Sequence, residues 1–472
     1  MNPGLSARLA RHAIEFDAQR LSPAVIRATQ RAILDGIGVM MAASGDSPDV
    51  RPFLELVRAQ PCSPQATVLG FNIRAGTLQA ALVNGALAHA LDYEDAFDRV
   101  PLHPNASLLP AALATAEIRA CTGREFLAAV ALGCDLVCRL GLSLRRPLEA
   151  GGWYPPPILG AFGATLAAAR LAGLDARGLC DAWSLLLAQN SCPGEIKFSA
   201  GSTLRAVREA FPAHAAVLAV QLAARGVRGF EAPLEGKAGF YALFAGGEYD
   251  AAALFDGLGT RFTIEELSFK PWPCCRGTHA YIEAAQILRR AGFQAEDIES
   301  IVCVGGMIQR MLAEPPTRKR RPRTPIDAKF SIPFAVALAL TEPEVTLASF
   351  NSAALEDARL LDLAAKCEFQ LGEDQEFSHA ACGEIALRLR DGRTLRHRVP
   401  HALGEPTRPL SDSALRTKFI DCVSRAANPV AAARASRFVE RVLNLEHESD
   451  AAAALCSIAA APAAAGPDQK DF

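Results

Sequence analysis

Three stretches of the chain carry side chains able to do chemistry. The first runs Asn84-Gly85-Ala86-Leu87-Ala88-His89-Ala90-Leu91-Asp92-Tyr93-Glu94-Asp95 and continues through Asp98 to His103-Pro104-Asn105. On a helix His89 and Asp92 stand at i and i+3 and share a face. A carboxylate beside an imidazole is what general acid/base catalysis requires. The same residues also describe a hydrogen-bonded core histidine followed by a solvated acidic loop, and spacing alone does not separate the two. The second stretch is Lys270-Pro271-Trp272-Pro273-Cys274-Cys275-Arg276-Gly277-Thr278-His279, just ahead of an amphipathic helix from Ala280. Two prolines and a glycine fix this loop, and the helix behind it aims unpaired N–H groups forward. Lys270, Arg276 and that helix end together suit a carboxylate; the alternative is a proline-rich linker with a buried cysteine pair. The third stretch, Arg318-Lys319-Arg320-Arg321-Pro322-Arg323 followed by Asp327-Ala328-Lys329-Phe330-Ser331, is expected to be a solvated basic loop.

Helices must position the first stretch. From residue 6 to about 250 apolar residues recur at helical spacing, beginning with Ser22-Pro23 as a cap and first-turn proline and continuing from Ala24 to Ala43. Further helices are expected at about 76–91, 105–120, 124–141, 160–172, 177–189 and 203–225, with Asn105 capping the one after His103. Their alanine and glycine content allows close packing. The texture changes near residue 260. Ile301–Val304, Lys366–Leu371 and a hairpin turning at Asp391-Gly392 between Ile385–Leu389 and Leu395–Val399 predict strands. Helices return at about 411–445. The expected fold is mainly α with a smaller α+β domain: residues 1–265 plus 405–450 all-helical, 266–404 an α+β lid, and 451–472 a disordered Ala/Pro-rich tail.

Composition narrows the function further. The 472 residues hold 49 Lys and Arg against 51 Asp and Glu, a formal charge of −2, which argues against a nucleic-acid binder. Half the residues are hydrophobic, as in a globular chain. Charged residues interrupt the N-terminal apolar runs, so no secretory signal is expected and the protein is placed in the cytoplasm. Residues 150–169 are uncharged, but Pro155-Pro156-Pro157 argues for a loop and a buried helix rather than a membrane span. Thirteen scattered cysteines predict free thiols. No ligand set at workable spacing predicts a metal, and no glycine fingerprint predicts a nucleotide, so no cofactor is expected. Only eight of the cationic residues are lysine, so a lysine inside a motif carries information.

At these motifs the chain resembles the MmgE/PrpD family, which contains 2-methylcitrate dehydratase, cis-aconitate decarboxylase and iminodisuccinate epimerase. The matching residues are Leu34-Asp35-Gly36-Ile37-Gly38-Val39, Asn84-Gly85 with His89, Asp92-Tyr93-Glu94-Asp95, His103-Pro104, and Lys270 through Cys275 with His279. Asp327 through Ser331, Gly404-Glu405-Pro406, Pro409-Leu410-Ser411 and Lys418-Phe419 complete the series. The resemblance implies a large helical domain with an α+β lid, a homodimer, and chemistry without metal or nucleotide. It places Asp92, His103, Lys270 and His279 at the active site, with a further base among Lys197, Arg205 and Arg208. Departures stand at Ala96 (threonine in the decarboxylases), Cys275 (histidine), Phe334 (tyrosine) and Trp153-Tyr154-Pro155 (His-Pro-Thr in many members). They argue against decarboxylation of cis-aconitate. The expected activity is therefore dehydration of a 2-methylcitrate-like polycarboxylate. Asp92 and His103 would move protons, with His103 as first choice of base, while Lys270, Arg276 and the 197–208 base would hold carboxylates near Cys275. An epimerase, isomerase or decarboxylase acting on a related di- or tricarboxylate is the alternative, and a non-catalytic helical binding protein is the reading from another class.

Overall fold

The computed structural model describes residues 4–199, 201–372, 377 and 379–459. Its body is a packed set of helices: Pro23–Asp46, Thr77–His89, Pro104–Ala116, Gly123–Ser143, Pro155–Leu171, Ala176–Leu187 and Ala210–Ala223. Local chemistry sets their ends. Ser22 Oγ accepts from Val25 N at 3.2 Å, and Thr122 and Glu125 form a reciprocal capping box ahead of Gly123. The helix Gly123–Ser143 is long and apolar enough to cross a membrane, but 94% of its apolar window is buried inside the protein, which makes it a core helix.

Small residues let these helices approach closely. A side chain at Gly163 would place its Cβ 2.4 Å from the Gly133 carbonyl oxygen, and one at Gly133 would come within 2.8 Å of the Gly163 oxygen. The two helices cross backbone to backbone, so little bulky core is needed between them.

The smaller region is a four-stranded mixed sheet of β3 (Ile298–Gly305), β4 (Cys367–Leu371), β5 (Gly383–Leu389) and β6 (Thr394–Val399), in the order β4-β3-β5-β6. β3 pairs parallel to β4 and antiparallel to β5, and β5–β6 is the expected hairpin. Ile385, Leu387 and Leu389 alternate onto the buried face, which the helix His279–Arg289 covers. The helix Asp412–Ser424 then returns to pack on Pro23–Asp46.

Several local expectations are corrected. The helix expected at 160–172 begins at Pro155, because the first turn of a helix has no use for three consecutive N–H groups and tolerates three prolines. The expected 203–225 helix is two, Leu204–Val207 and Ala210–Ala223. His103, not Asn105, occupies the N-cap position before Pro104, and Asn105 instead donates to Asp95 at 3.2 Å. The tail is ordered through residue 459: Ala451–Cys456 is a helix started by Asp450 and buries Leu455, while the rest of the tail lies outside the described residues. A short hairpin, β1 (Ala66–Val68) with β2 (Ile73–Ala75), went unread because three-residue strands carry almost no periodicity. The basic run is not a solvated loop: Lys319 is buried and donates to the Phe330 carbonyl at 2.7 Å, and Arg318 pairs with Asp327 at 2.9 Å.

The glycine crossing makes a direct stability prediction. Gly163→Leu should cost about 3 kcal/mol or more, because the neighbouring atom is backbone and cannot swing away. Denaturant unfolding would check this, and a loss under about 1 kcal/mol would show that the helices slide apart cheaply.

Candidate active site

The site is built around the turn that ends the helix Thr77–His89. Asp92 N donates to His89 O at 2.8 Å, and Asp92 takes a left-handed backbone conformation with φ of 50°. Aspartate tolerates this better than most residues, yet it remains strained. Three buried lysines hold the turn. Lys329 Nζ donates to the Leu91 carbonyl at 2.6 Å, Lys270 Nζ to the Asp92 carbonyl at 2.9 Å, and Lys418 Nζ to the Tyr93 carbonyl at 2.7 Å. Lys270 also pairs with Asp92 Oδ1 at 2.7 Å with both side chains fully removed from water, and Lys418 pairs with Asp35 at 2.7 Å. Burial alone would depress the Lys270 ammonium, but the Asp92 and Glu94 carboxylates more than offset it and hold its pKa above the ordinary range. Lys329 lacks such a carboxylate contact, and burial pulls it down to about 8.

Backbone pairing locks the two halves of the site together. Ala96 and Ser268 exchange N–H···O bonds at 2.9 and 2.8 Å, and Phe269 N donates to Gly404 O at 2.9 Å. Gly404 has φ of 97°, and a Cβ there would lie 2.1 Å from the Phe269 oxygen, which is the physical content of the Gly404-Glu405-Pro406 motif. Arg276 Nε pairs with Asp98 at 3.0 Å, and Ser268 Oγ donates to the same carboxylate at 2.6 Å.

Hydrogen-bond chemistry assigns the histidine tautomers. His103 Nδ1 lies 2.9 Å from the Asp95 carbonyl, which only accepts, so Nδ1 carries a proton. The Glu94 carboxylate stands 3.2 Å from the same nitrogen. His103 Nε2 is then bare. His89 receives Arg208 at Nε2 and donates from Nδ1 to Glu94, so it too is neutral. His279 donates from Nε2 to the Cys274 carbonyl at 3.1 Å and accepts from Arg276 at Nδ1. Burial pushes all three well below the ordinary histidine value; for His103 the Glu94 charge opposes that shift without reversing it. Asp95, buried near Asp35 and Glu94, is pushed up to about 8, and burial carries Glu209 to about 7 against the opposing pull of Arg208.

His103 opens onto a cavity of about 310 Å³. Lys197, Arg205, Cys275 and Arg276 share its wall, together with Tyr154 and the departure residue Ala96. Lys197 lies 3.4 Å from Glu149. Arg205 is buried with its guanidinium 3.4 Å from the Phe330 ring, and its Nε has no hydrogen-bond partner among the described residues. Arg208, the third contender for the extra base, is fully buried on His89 and Glu209.

Asp92, Lys270 and His279 stand behind this wall. Asp92 offers an oxygen within 4.8 Å of a His103 nitrogen; its Oδ1 pairs with Lys270, while its buried Oδ2 has no hydrogen-bond partner among the described residues. Lys270, expected on a substrate carboxylate, bonds the Asp92 carbonyl and carboxylate. His279 uses both ring nitrogens internally and steadies Arg276. Phe334 is fully buried in the helix Ile332–Thr341 and does not reach the cavity. The residue that sequence reasoning left without a role is Glu94, which bridges His89 and His103. Its signal was present as a carboxylate five residues from His89, but it was indistinguishable from its acidic neighbours.

The expectation that no metal-ligand set converges is also corrected. His89, Asp92, Glu94 and His103 bring ligand atoms within 4.8 Å of one another. Oxygen and imidazole donors suit a divalent ion. Here, however, Lys270 already sits on Asp92 and Arg208 on His89, so two protein cations balance the two carboxylates.

Comparison with known proteins agrees with this architecture. Residues 7–252 match the MmgE/PrpD N-terminal domain and residues 272–445 the MmgE/PrpD C-terminal domain. The chain is 25% identical over 414 residues to a cis-aconitate decarboxylase of Mus musculus, covering 84% of this chain and 82% of that one. It is 24% identical over 479 residues to a cis-aconitate decarboxylase-like protein of Aspergillus oryzae, covering 96% and 97%, and 24% identical over 411 residues to the Homo sapiens cis-aconitate decarboxylase, covering 84% and 83%. With both domains matched in order across nearly the whole described chain, the protein belongs to the MmgE/PrpD family.

Proposed function

We propose that this protein is a lyase that takes a proton from the carbon next to a carboxylate of a small polycarboxylate and expels a β-hydroxyl, as in dehydration of a 2-methylcitrate-like substrate. One observation carries the reading: His103, with its Nδ1 hydrogen-bonded to the Asp95 carbonyl, lines a cavity wall that also holds Arg205, whose Nε has no hydrogen-bond partner among the described residues. Arg205 and Lys197 bind carboxylate oxygens, where charge accumulates as the proton leaves. His103 Nε2 accepts that proton, and Glu94 at 3.2 Å stabilises the imidazolium formed. The imidazolium returns the proton to the departing hydroxyl, so water leaves and a carbon–carbon double bond remains. Because His103 lines the cavity and Asp92 does not, the second proton transfer moves from Asp92 to His103. Asp92 and Lys270 act by shaping the turn.

The names of the relatives favour a second reading, decarboxylation of a related unsaturated acid. That reaction makes its carbanion by losing carbon dioxide and needs an acid to protonate carbon. Burial keeps His103 neutral, which suits proton removal instead. A screen of citrate, 2-methylcitrate and cis-aconitate separates the two: growing absorbance of a conjugated acid supports the first, and carbon dioxide release from cis-aconitate the second.

On the best substrate His103→Gln should lower kcat by about 100-fold or more with little change in KM, whereas Arg205→Met should raise KM. Full activity in His103→Gln would place the base elsewhere. Because His103 titrates below its ordinary 6.5, the acidic limb of kcat/KM should fall below that value, with activity retained above it. A limb above pH 7 would contradict a buried neutral base. Since Lys270 and Arg208 already supply the positive charge at the four-ligand cluster, dialysis against a chelator should leave activity unchanged. Loss restored by one divalent ion would overturn the metal-free reading.

A further inference from the structure

The cavity that His103 faces is poorly matched to an unsubstituted tricarboxylate. Its charged lining comprises Lys197, Arg205 and Arg276 against Asp98 and Glu149, with His103 neutral, so the wall carries a net charge of about one. Arg276 is taken by Asp98, and Lys197 has Glu149 at 3.4 Å. One guanidinium with no carboxylate partner among the described residues and one shared ammonium satisfy at most two carboxylates. Much of the remaining wall is apolar, from Met307, Ile308, Met311, Leu312, Phe330 and Pro156.

That apolar wall continues outward. Lys197, Arg205, Met307 and Met311 also border an outer groove of about 740 Å³ that runs past Phe198. Met307 is 68% exposed, Met311 38% and Phe198 70%, three large apolar side chains left in water along one path from the site. Isolated exposed apolar residues need no explanation, but a run leading out of a catalytic cavity does. Beyond Lys197 and Arg205, the groove's cations do not make it a phosphate site. Arg310 is paired with Glu314 at 2.8 Å, Arg318 with Asp327 at 2.9 Å, and Lys319 is spent on the Phe330 carbonyl.

We propose that the substrate is a dicarboxylate bearing an unbranched alkyl substituent, whose carboxylates meet Arg205 and Lys197 and whose chain lies along Met307, Met311 and Leu312 toward Phe198. This rests on the reading that Arg205 and Lys197 hold carboxylate beside His103, and it names the substrate class that such a site selects. Methionine suits the task, since its flexible thioether moulds to chains of different length.

The test uses the intact chain and alkylsuccinates bearing methyl, propyl or hexyl groups, which have no leaving hydroxyl, with affinities measured by calorimetry. Kd should fall about fourfold for each added methylene. Replacing both Met307→Ser and Met311→Ser should flatten that trend, and because both side chains are exposed, the variant should fold. Arg205→Met should weaken every member alike. A Kd independent of chain length, a trend untouched by the methionine changes, or tighter binding of citrate than of hexylsuccinate would each overturn the proposal. The reaction is tested separately with the matching 2-alkylmalates in D₂O. If the alkyl series binds as expected but no α-proton is lost, the lyase reading falls and the substrate class stands.

Discussion

Three lysine ammonium groups on three consecutive carbonyls, Leu91, Asp92 and Tyr93, form the constraint on which the site depends. A lysine is costly to bury, and each of these is tolerated because it finds oxygen acceptors at hydrogen-bond distance. Removing one would strand the carbonyl it serves and, at Lys270, leave the Asp92 carboxylate buried without its partner. Such losses commonly run to about 3–5 kcal/mol. The lysines come from three distant places in the chain: the loop ahead of the helix His279–Arg289, the short helix Pro325–Lys329, and the returning helix Asp412–Ser424. The turn therefore takes its shape only when the helical body, the region of the four-stranded sheet and the C-terminal helices have come together. Its left-handed Asp92, which would otherwise be a weak point, is held by that closure.

Fixing the turn fixes the chemistry. The carbonyl of Asp95 and the carboxylate of Glu94, both just past the held residues, converge on His103 Nδ1 and leave Nε2 for the cavity. The Ala96–Ser268 exchange then sets the opposite wall, because it places Asp98 where Arg276 can reach it. The groups proposed as catalytic are thus held by backbone bonds and buried charge rather than by a flexible loop, the kind of preorganisation that the proposed single-imidazole base requires.

Much of this was legible in the sequence, for reasons that differ by residue. Helix periodicity and the cap at Ser22 are local signals, and so is the Asp391-Gly392 hairpin. His103, Lys197, Arg205, Cys275 and Arg276 were singled out and do share one cavity. Lys270 was singled out too, but its task is set by a neighbour nearly two hundred residues away. No local pattern distinguishes a lysine that binds substrate from one that binds a carbonyl. The same holds for Lys329 and Lys418, which appeared only as parts of short motifs. Their rarity as lysines in an arginine-rich chain was the one available hint: a compact ammonium with three donors fits a confined carbonyl cluster where a planar guanidinium does not. Glu94 stayed hidden among four acidic residues because only the folded turn decides which of them meets His103.

The central claim is that burial keeps His103 neutral and that the lysine-held turn leaves it protonated at Nδ1 and bare at Nε2. Nitrogen NMR on histidine-labelled protein at neutral pH, with the His103 signal assigned by its loss in His103→Gln, tests this directly. The account predicts a protonated Nδ1 and an unprotonated Nε2 that persist below the ordinary histidine titration range. An imidazolium at neutral pH, or a proton on Nε2, would contradict it.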